Sequence, residues 1–194
     1  MKNSILWVAL LLYSCSDTQE KQNLEKQNSN LIRQLAETEH IQLVKQKIMY
    51  ASWNEPLGEF KVSDKKESKH FVEAVGEKSV LVFRYSDEYC SSCLDFGIEM
   101  LKEMEKSIDG NKLIVLASFE NPRNELIFRS QNHLKSRIYT ISNDAIHLPI
   151  EKNHKPYFFM FNKKYNMPSH YFWGDKKIDS FAIQYISVIS EKLK

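Results

Sequence analysis

"SVLVFRYSDEYCSSCLDF", residues Ser79 to Phe96, runs from an almost unbroken apolar stretch into two cysteines and then into a helical pattern. The part Ser79–Tyr85 lacks the alternation of a half-exposed strand, and such a run suits an inner strand of a sheet covered on both faces. Beyond the cysteines, Leu94, Ile98, Leu101 and Ile108 recur at helical spacing, and Gly110 is the expected stop. Cys90 therefore belongs to the turn after the strand and Cys93 to the first turn of the helix, close enough on neighbouring faces to reach one another. A sulfur at that position sits among unpaired helix N-terminal amides, where the positive end of the dipole favours thiolate over thiol. Cys90 is the expected nucleophile and Cys93 the thiol that resolves the mixed disulfide. Three readings of the pair stay open on spacing alone: a redox couple, half of a metal site, or a static bridge.

Downstream, Lys112–Ser118 reads as a second inner strand, followed by Asn121 as N-cap, Pro122 at the first helical position and a helix through about Leu134. Arg137–Ile141 is one more strand candidate. Asp144–Lys155 is a loop with His147, Pro149 and His154, and Pro156–Phe161 is another buried strand. Ser169–Trp173 is expected to pair beside it as an antiparallel edge, and Ile178, Phe181, Ala182, Tyr185 and Ile189 mark a closing amphipathic helix. Upstream, Glu59–Val62 is a short strand, and Asp64 with Glu67 three residues later predicts a helix ending at Gly76. Strands alternating with helices, then a hairpin and a final helix, give an α/β fold with a mixed central sheet flanked by helices.

The first residues carry different information. Lys2 precedes the apolar run Ile5–Leu12, which is far shorter than the roughly 20 residues that span a bilayer but matches a secretory signal. Leu12-Tyr13-Ser14-Cys15 resembles the bacterial lipoprotein box, which implies a signal at 1–14 and lipid attachment at Cys15. Three cysteines are odd for an exported chain, and acylation of Cys15 leaves Cys90 and Cys93 as a matched pair. Residues 15–55 read as a polar helical tether, in which a stalk of about 30 residues would be on the order of 45 Å long if fully helical. Leu24, Leu31 and Leu35 begin a heptad stripe that Asn28, Thr38 and Gln42 interrupt, which argues against a strong coiled coil. Trp53, Pro56 and Gly58 mark the start of a folded domain over 56–194.

Charge and composition narrow the field further. Basic and acidic side chains number 27 and 25, and no stretch interleaves Arg with aromatics, so nucleic acid is not an expected partner. Zinc needs four ligands, and His147 and His154 are spaced outside the usual His-x3–5-His range, so no metal site is assigned. Covalent haem is excluded because residue 94 is Leu where a His is required. No cofactor is expected. Cu(I) transfer through two thiolates and a histidine is a third, weaker alternative.

The strand "SVLVFRY", the "CSSC" that opens a helix, and "HKPYFFMF" with its proline before a buried strand resemble the thioredoxin-like superfamily. The likeness is greatest to the membrane-tethered thiol-disulfide oxidoreductases of the bacterial cell envelope, and it covers roughly Gly58 to Lys194. The resemblance implies a thioredoxin-like fold, electron exchange with protein disulfides, a separate electron donor or acceptor, and a lipid-anchored, periplasm-facing location. It also implies that Lys155 and Pro156 bind substrate across from the cysteines through a cis Lys155–Pro156 bond, with Tyr89 beside them at the position where tryptophan is common. The noncatalytic counterpart is a thioredoxin-fold binding module with a permanent bridge. Besides Tyr89 in place of that tryptophan, two further features depart from the family pattern. Ser91-Ser92 replaces the usual pair containing proline or glycine. Arg84 stands where many members keep a buried carboxylate, and an arginine cannot serve as that base.

Overall fold

The computed structural model describes residues 3–53, 55–64, 67–76, 78–89, 91–173, 178 and 180–194; of these, the side chains of 3–18, 41, 91 and 180 are not described. The chain divides into two compact units, Met1–Lys47 and Ile48–Lys194.

A helix, α1, spans Asn3–Trp53. Its polar composition and freedom from Gly and Pro sustain it, and within the first unit it is held locally. Arg33 and Glu37 pair at i,i+4 with Nε–Oε1 at 3.0 Å, while Ser29 and Thr38 donate to the carbonyls of Glu25 and Gln34. Leu24, Leu31, Ile32, Leu35 and Leu43 are exposed along it. Among the described residues no helix is long and apolar enough to cross a membrane. The expected lipid-attachment residue Cys15 has its side chain outside the described residues.

The second unit is built on one seven-stranded mixed sheet. Its strands are β1 (Lys61–Ser63), β2 (Ser68–His70), β3 (Val80–Ser86), β4 (Leu113–Ser118), β5 (Arg137–Thr140), β6 (Tyr157–Asn162) and β7 (Met167–Phe172), in the order β2-β1-β5-β4-β3-β6-β7. The adjacent inner strands β4, β3 and β6 bury nearly every residue, as the unbroken apolar runs require. β3 runs parallel to β4 and antiparallel to β6. The edge strand β7 contains Pro168, and its pairing with β6 slips register between Phe158 and Met160.

Alternation along β3 sorts its side chains between two cores. Val80 and Val82 face a cluster with Ile114, Leu116, Phe159 and Phe161, covered by α2 (Phe71–Val75) and by Ile146, Leu148 and Ile150 of the 141–150 segment. Ile48 and Met49, in the part of α1 that belongs to this unit, pack on the same side, and Tyr171 donates to the Ser52 carbonyl at 3.0 Å. Leu81 and Phe83 face the other cluster, covered by α3 (Ser91–Met104), α4 (Pro122–Asn132) and α5 (Ser180–Lys192). Gly97 lets α3 settle on β3: an added Cβ would stand 2.6 Å from Cζ of Phe83, which is fully buried.

Three local expectations are corrected. Asp64 and Glu67 do not open a helix but close the β1–β2 hairpin, with the Glu67 amide donating to Asp64 Oδ1 at 3.1 Å. An Asx-type turn uses the same spacing as a capping box, so the two are alike in sequence. α2 instead begins after His70, whose amide donates to Glu73, and ends at left-handed Gly76 (φ 72°). Gly110 does not stop α3, which ends at Met104; it opens the 3-10 turn Gly110–Lys112 instead. Lys155–Pro156 is trans, since no peptide bond among the described residues is cis. The chain turns into β6 by another device: a 3-10 segment, Pro149–Asn153, ends on left-handed His154 (φ 49°).

Candidate functional site

β3 delivers the chain to the cysteines through a turn that is heavily tied down. The Asp87 amide donates to the Ser118 carbonyl at 3.0 Å and the Tyr89 amide to the Ser86 carbonyl at 2.9 Å. The Asp87 carboxylate accepts from the Tyr85 hydroxyl (2.6 Å), the Glu120 amide (3.0 Å) and Asn124 Nδ2 (2.7 Å), which fastens the turn to the N-terminal end of α4. On the opposite side, Ser86 donates to Asn143 (2.9 Å) and Asn143 Nδ2 donates to Glu88 (2.7 Å). The turn is thus braced from both sides, one residue ahead of position 90.

Ser91 is the first residue of α3, so the cysteine motif stands at the strand-to-helix switch. Cys90, the expected nucleophile, lies outside the described residues. Cys93, in the first turn, is 6% exposed. The β3–β6 ladder ends on the pair Arg84↔Tyr157. Pro156, buried, and Lys155, half-buried, therefore lie just past that pair, at the sheet end from which β3 runs into the cysteine turn.

Beneath this end sits a fully buried arginine. Arg84 points to the side of the sheet that carries Tyr157 and Glu151, and it pairs bidentately with Glu151: Nε to Oε1 at 3.1 Å and Nη2 to Oε2 at 3.3 Å. Its Nη1 donates to the Tyr85 carbonyl (2.5 Å) and to Ser118 Oγ (2.8 Å). A buried guanidinium needs this much satisfaction to be tolerated at all. The same carboxylate accepts from two phenols, Tyr89 on Oε2 and Tyr157 on Oε1. The Tyr89 ring also lies under the guanidinium, 5.6 Å from centroid to Cζ, and meets the His154 ring edge-on at 6.2 Å.

Burial holds both phenols protonated: it pushes Tyr89 and Tyr157 well above the ordinary tyrosine range, and the nearby Glu151 charge acts the same way, partly opposed by Arg84. Tyr89, expected on the substrate side, is 9% exposed and faces inward onto Arg84. A cleft of about 120 Å³ opens here, lined by Arg84, Ser86, Glu88, Tyr89, Asn143 and Glu151 among others. Among the described residues no three His, Cys, Asp or Glu side chains stand together in a group able to hold a metal ion.

Glu151 is the residue that sequence reasoning did not single out. The signal was available. An arginine inside an apolar strand demands a carboxylate, and within the 144–155 loop Glu151 follows the apolar Leu148-Pro149-Ile150 that fixes its segment to the core. Glu151 neutralises the Arg84 charge at close range.

No family model and no curated protein matches the chain. Solved structures do. A candidate protein disulfide isomerase from Bacteroides thetaiotaomicron superposes with a TM-score of 0.51 at 11% identity, over 72% of this chain and 88% of its own. A thioredoxin-like superfamily protein superposes with a TM-score of 0.50 at 12% identity, over 71% of this chain and 95% of its own. With its seven-stranded mixed sheet flanked by helices, the domain has a thioredoxin-like fold.

Proposed function

We propose that this protein is a thiol-disulfide oxidoreductase of the bacterial cell envelope, anchored by lipid on Cys15 and working through Cys90 and Cys93. The observation that carries the reading is the position of the Cys-Ser-Ser-Cys motif, at the point where an inner strand of a thioredoxin-like sheet passes into α3. Helix N-termini favour thiolates, and Cys90 is the sulfur nearest those amides in sequence. The Cys90 thiolate attacks one sulfur of a substrate disulfide; that S–S bond breaks, a mixed disulfide forms, and the departing substrate thiolate takes up a proton. The Cys93 thiolate then attacks Cys90 Sγ, releasing the second substrate thiol and leaving the Cys90–Cys93 disulfide. The substrate has gained two electrons, and a dithiol donor restores the enzyme by the reverse exchange. Lys155 and Pro156 form the substrate-side edge next to the sulfurs, and Tyr89 shapes the wall behind them. The apolar run at 5–12 and Cys15 support export and anchoring.

The low exposure of Cys93 favours a second reading, a binding module whose cysteines stay bridged. Equilibrating the pair against dithiol buffers and assaying a peptide disulfide with wild type and Cys90→Ser separates the two. Exchange by wild type that Cys90→Ser abolishes is expected, with a mixed disulfide trapped on Cys93→Ser. A reduction potential below about −300 mV without turnover overturns the enzyme in favour of the static bridge.

A further inference from the structure

The Glu151 carboxylate joins the two sides of the site. Tyr89, which donates to Oε2, is the residue immediately before Cys90; Tyr157, which donates to Oε1, is the residue immediately after Pro156. Arg84 grips both oxygens and is itself fixed to the sheet through the Tyr85 carbonyl and Ser118. The cysteine turn and the proline segment are therefore referred to one anchored group.

A carboxylate offers about four acceptor sites, and all four here are filled by Arg84 Nε, Arg84 Nη2 and the two phenols. With no site left to take a proton from a thiol, Glu151 is suited to holding geometry, and charge-assisted bonds hold it firmly. Resting on the oxidoreductase reading above, we infer that Glu151 is a positioning residue: a clasp that sets the spacing between the Cys90 turn and the Lys155–Pro156 edge.

The clasp acts on substrates that touch both sides. A peptide disulfide must present its sulfur to Cys90 while its backbone lies on the Lys155–Pro156 edge; iodoacetamide needs only the sulfur. Tyr157→Phe and Tyr89→Phe each remove one arm of the clasp and leave the Arg84–Glu151 pair in place.

In the full chain, the expected result for Tyr157→Phe is a fall of about tenfold or more in kcat/KM for a peptide disulfide, the scale of loss that a small misplacement produces. Alkylation of Cys90 by iodoacetamide, measured in the Cys93→Ser background, is expected to change less than about twofold in the same variant, since the substitution alters no residue of the cysteine turn. Tyr89→Phe is expected to lower peptide exchange as well, and the double variant to show a loss smaller than the product of the two single losses, because either break already frees the spacing. Equal falls in both rates, or no fall in peptide exchange by an active protein, overturn the clasp and leave the oxidoreductase standing. A wild type that exchanges with no peptide disulfide overturns the oxidoreductase reading and the clasp with it.

Discussion

Glu151→Ala should be among the most damaging single substitutions in the domain. Truncation leaves the Arg84 guanidinium fully buried without its counter-charge and removes the acceptor of the Tyr89 and Tyr157 hydroxyls. Breaking one partner of a buried pair costs about 3–5 kcal/mol, because the surviving charge has no water to return to. The Glu151 side chain is 15% exposed, so some solvent reaches the site and the lower end applies. For a domain of this size, about 3 kcal/mol corresponds to a drop of roughly 6–12 °C in Tm. Urea and thermal unfolding followed by the near-UV signal of buried Trp173 would measure it.

The same physics fixes the order of a series. Arg84→Met with Glu151→Leu recovers much of the loss, because no ion is stranded. It still leaves two buried phenols without an acceptor, at about 1–3 kcal/mol each. Adding Tyr89→Phe and Tyr157→Phe removes that cost as well and should return stability to near wild type. If Glu151→Ala lies within about 1 kcal/mol of wild type, or the fourfold replacement is no better than the single one, the assignment of Arg84 as a buried ion dependent on Glu151 is wrong.

Gly97→Ala sets a methyl against Phe83 and should cost about 1–3 kcal/mol of overpacking, offset by up to about 1 kcal/mol of helix propensity; Phe83→Leu in the same chain should restore the urea midpoint. Asp87→Ala removes the acceptor shared by Tyr85, Asn124 and the Glu120 amide, and should lower stability by about 1–3 kcal/mol with increased amide exchange at the start of α4. Burial raises the pKa of Tyr85, Tyr89, Tyr157 and Tyr171. With the folded-state value raised, their stabilising contribution is intact below pH ~10 and is lost as pH climbs beyond it, by up to about 1.4 kcal/mol per pH unit for each tyrosine. Tyrosinate absorbance from these four should therefore rise together with loss of near-UV dichroism, and gradual ionisation in the folded state would refute the burial argument. Cys15→Ser should abolish incorporation of labelled palmitate in a bacterial host and release the chain from the membrane fraction; continued labelling would remove Cys15 as the anchor.

The inner strands were legible because their apolar runs are long and bounded, and α4 because Asn121-Pro122 opens a helix and accepts no other ready use. The β1–β2 hairpin was not legible, since Asp64-x-x-Glu67 satisfies either a turn or a helix end and only pairing partners decide. The Pro149–Asn153 turn was hidden in a loop whose three-residue periodicity is too short to register. At the site, the motif and the proline could be placed from local pattern. The partner of Arg84 was harder to place: a buried arginine calls for a carboxylate, but Glu151 lies 67 positions away, and only the fold selects it from the other acidic residues.

The outermost strands bear on how another polypeptide could approach. β2 spans three residues, Ser68-Lys69-His70, and β7 is interrupted by Pro168 and a register slip. Margins this short, charged and broken offer a poor template for zipping on a further strand from a neighbouring molecule. A visiting polypeptide is thereby offered little at either side margin, and the rim of the sheet beyond the Arg84–Tyr157 pair is the approach that the proposed exchange would use.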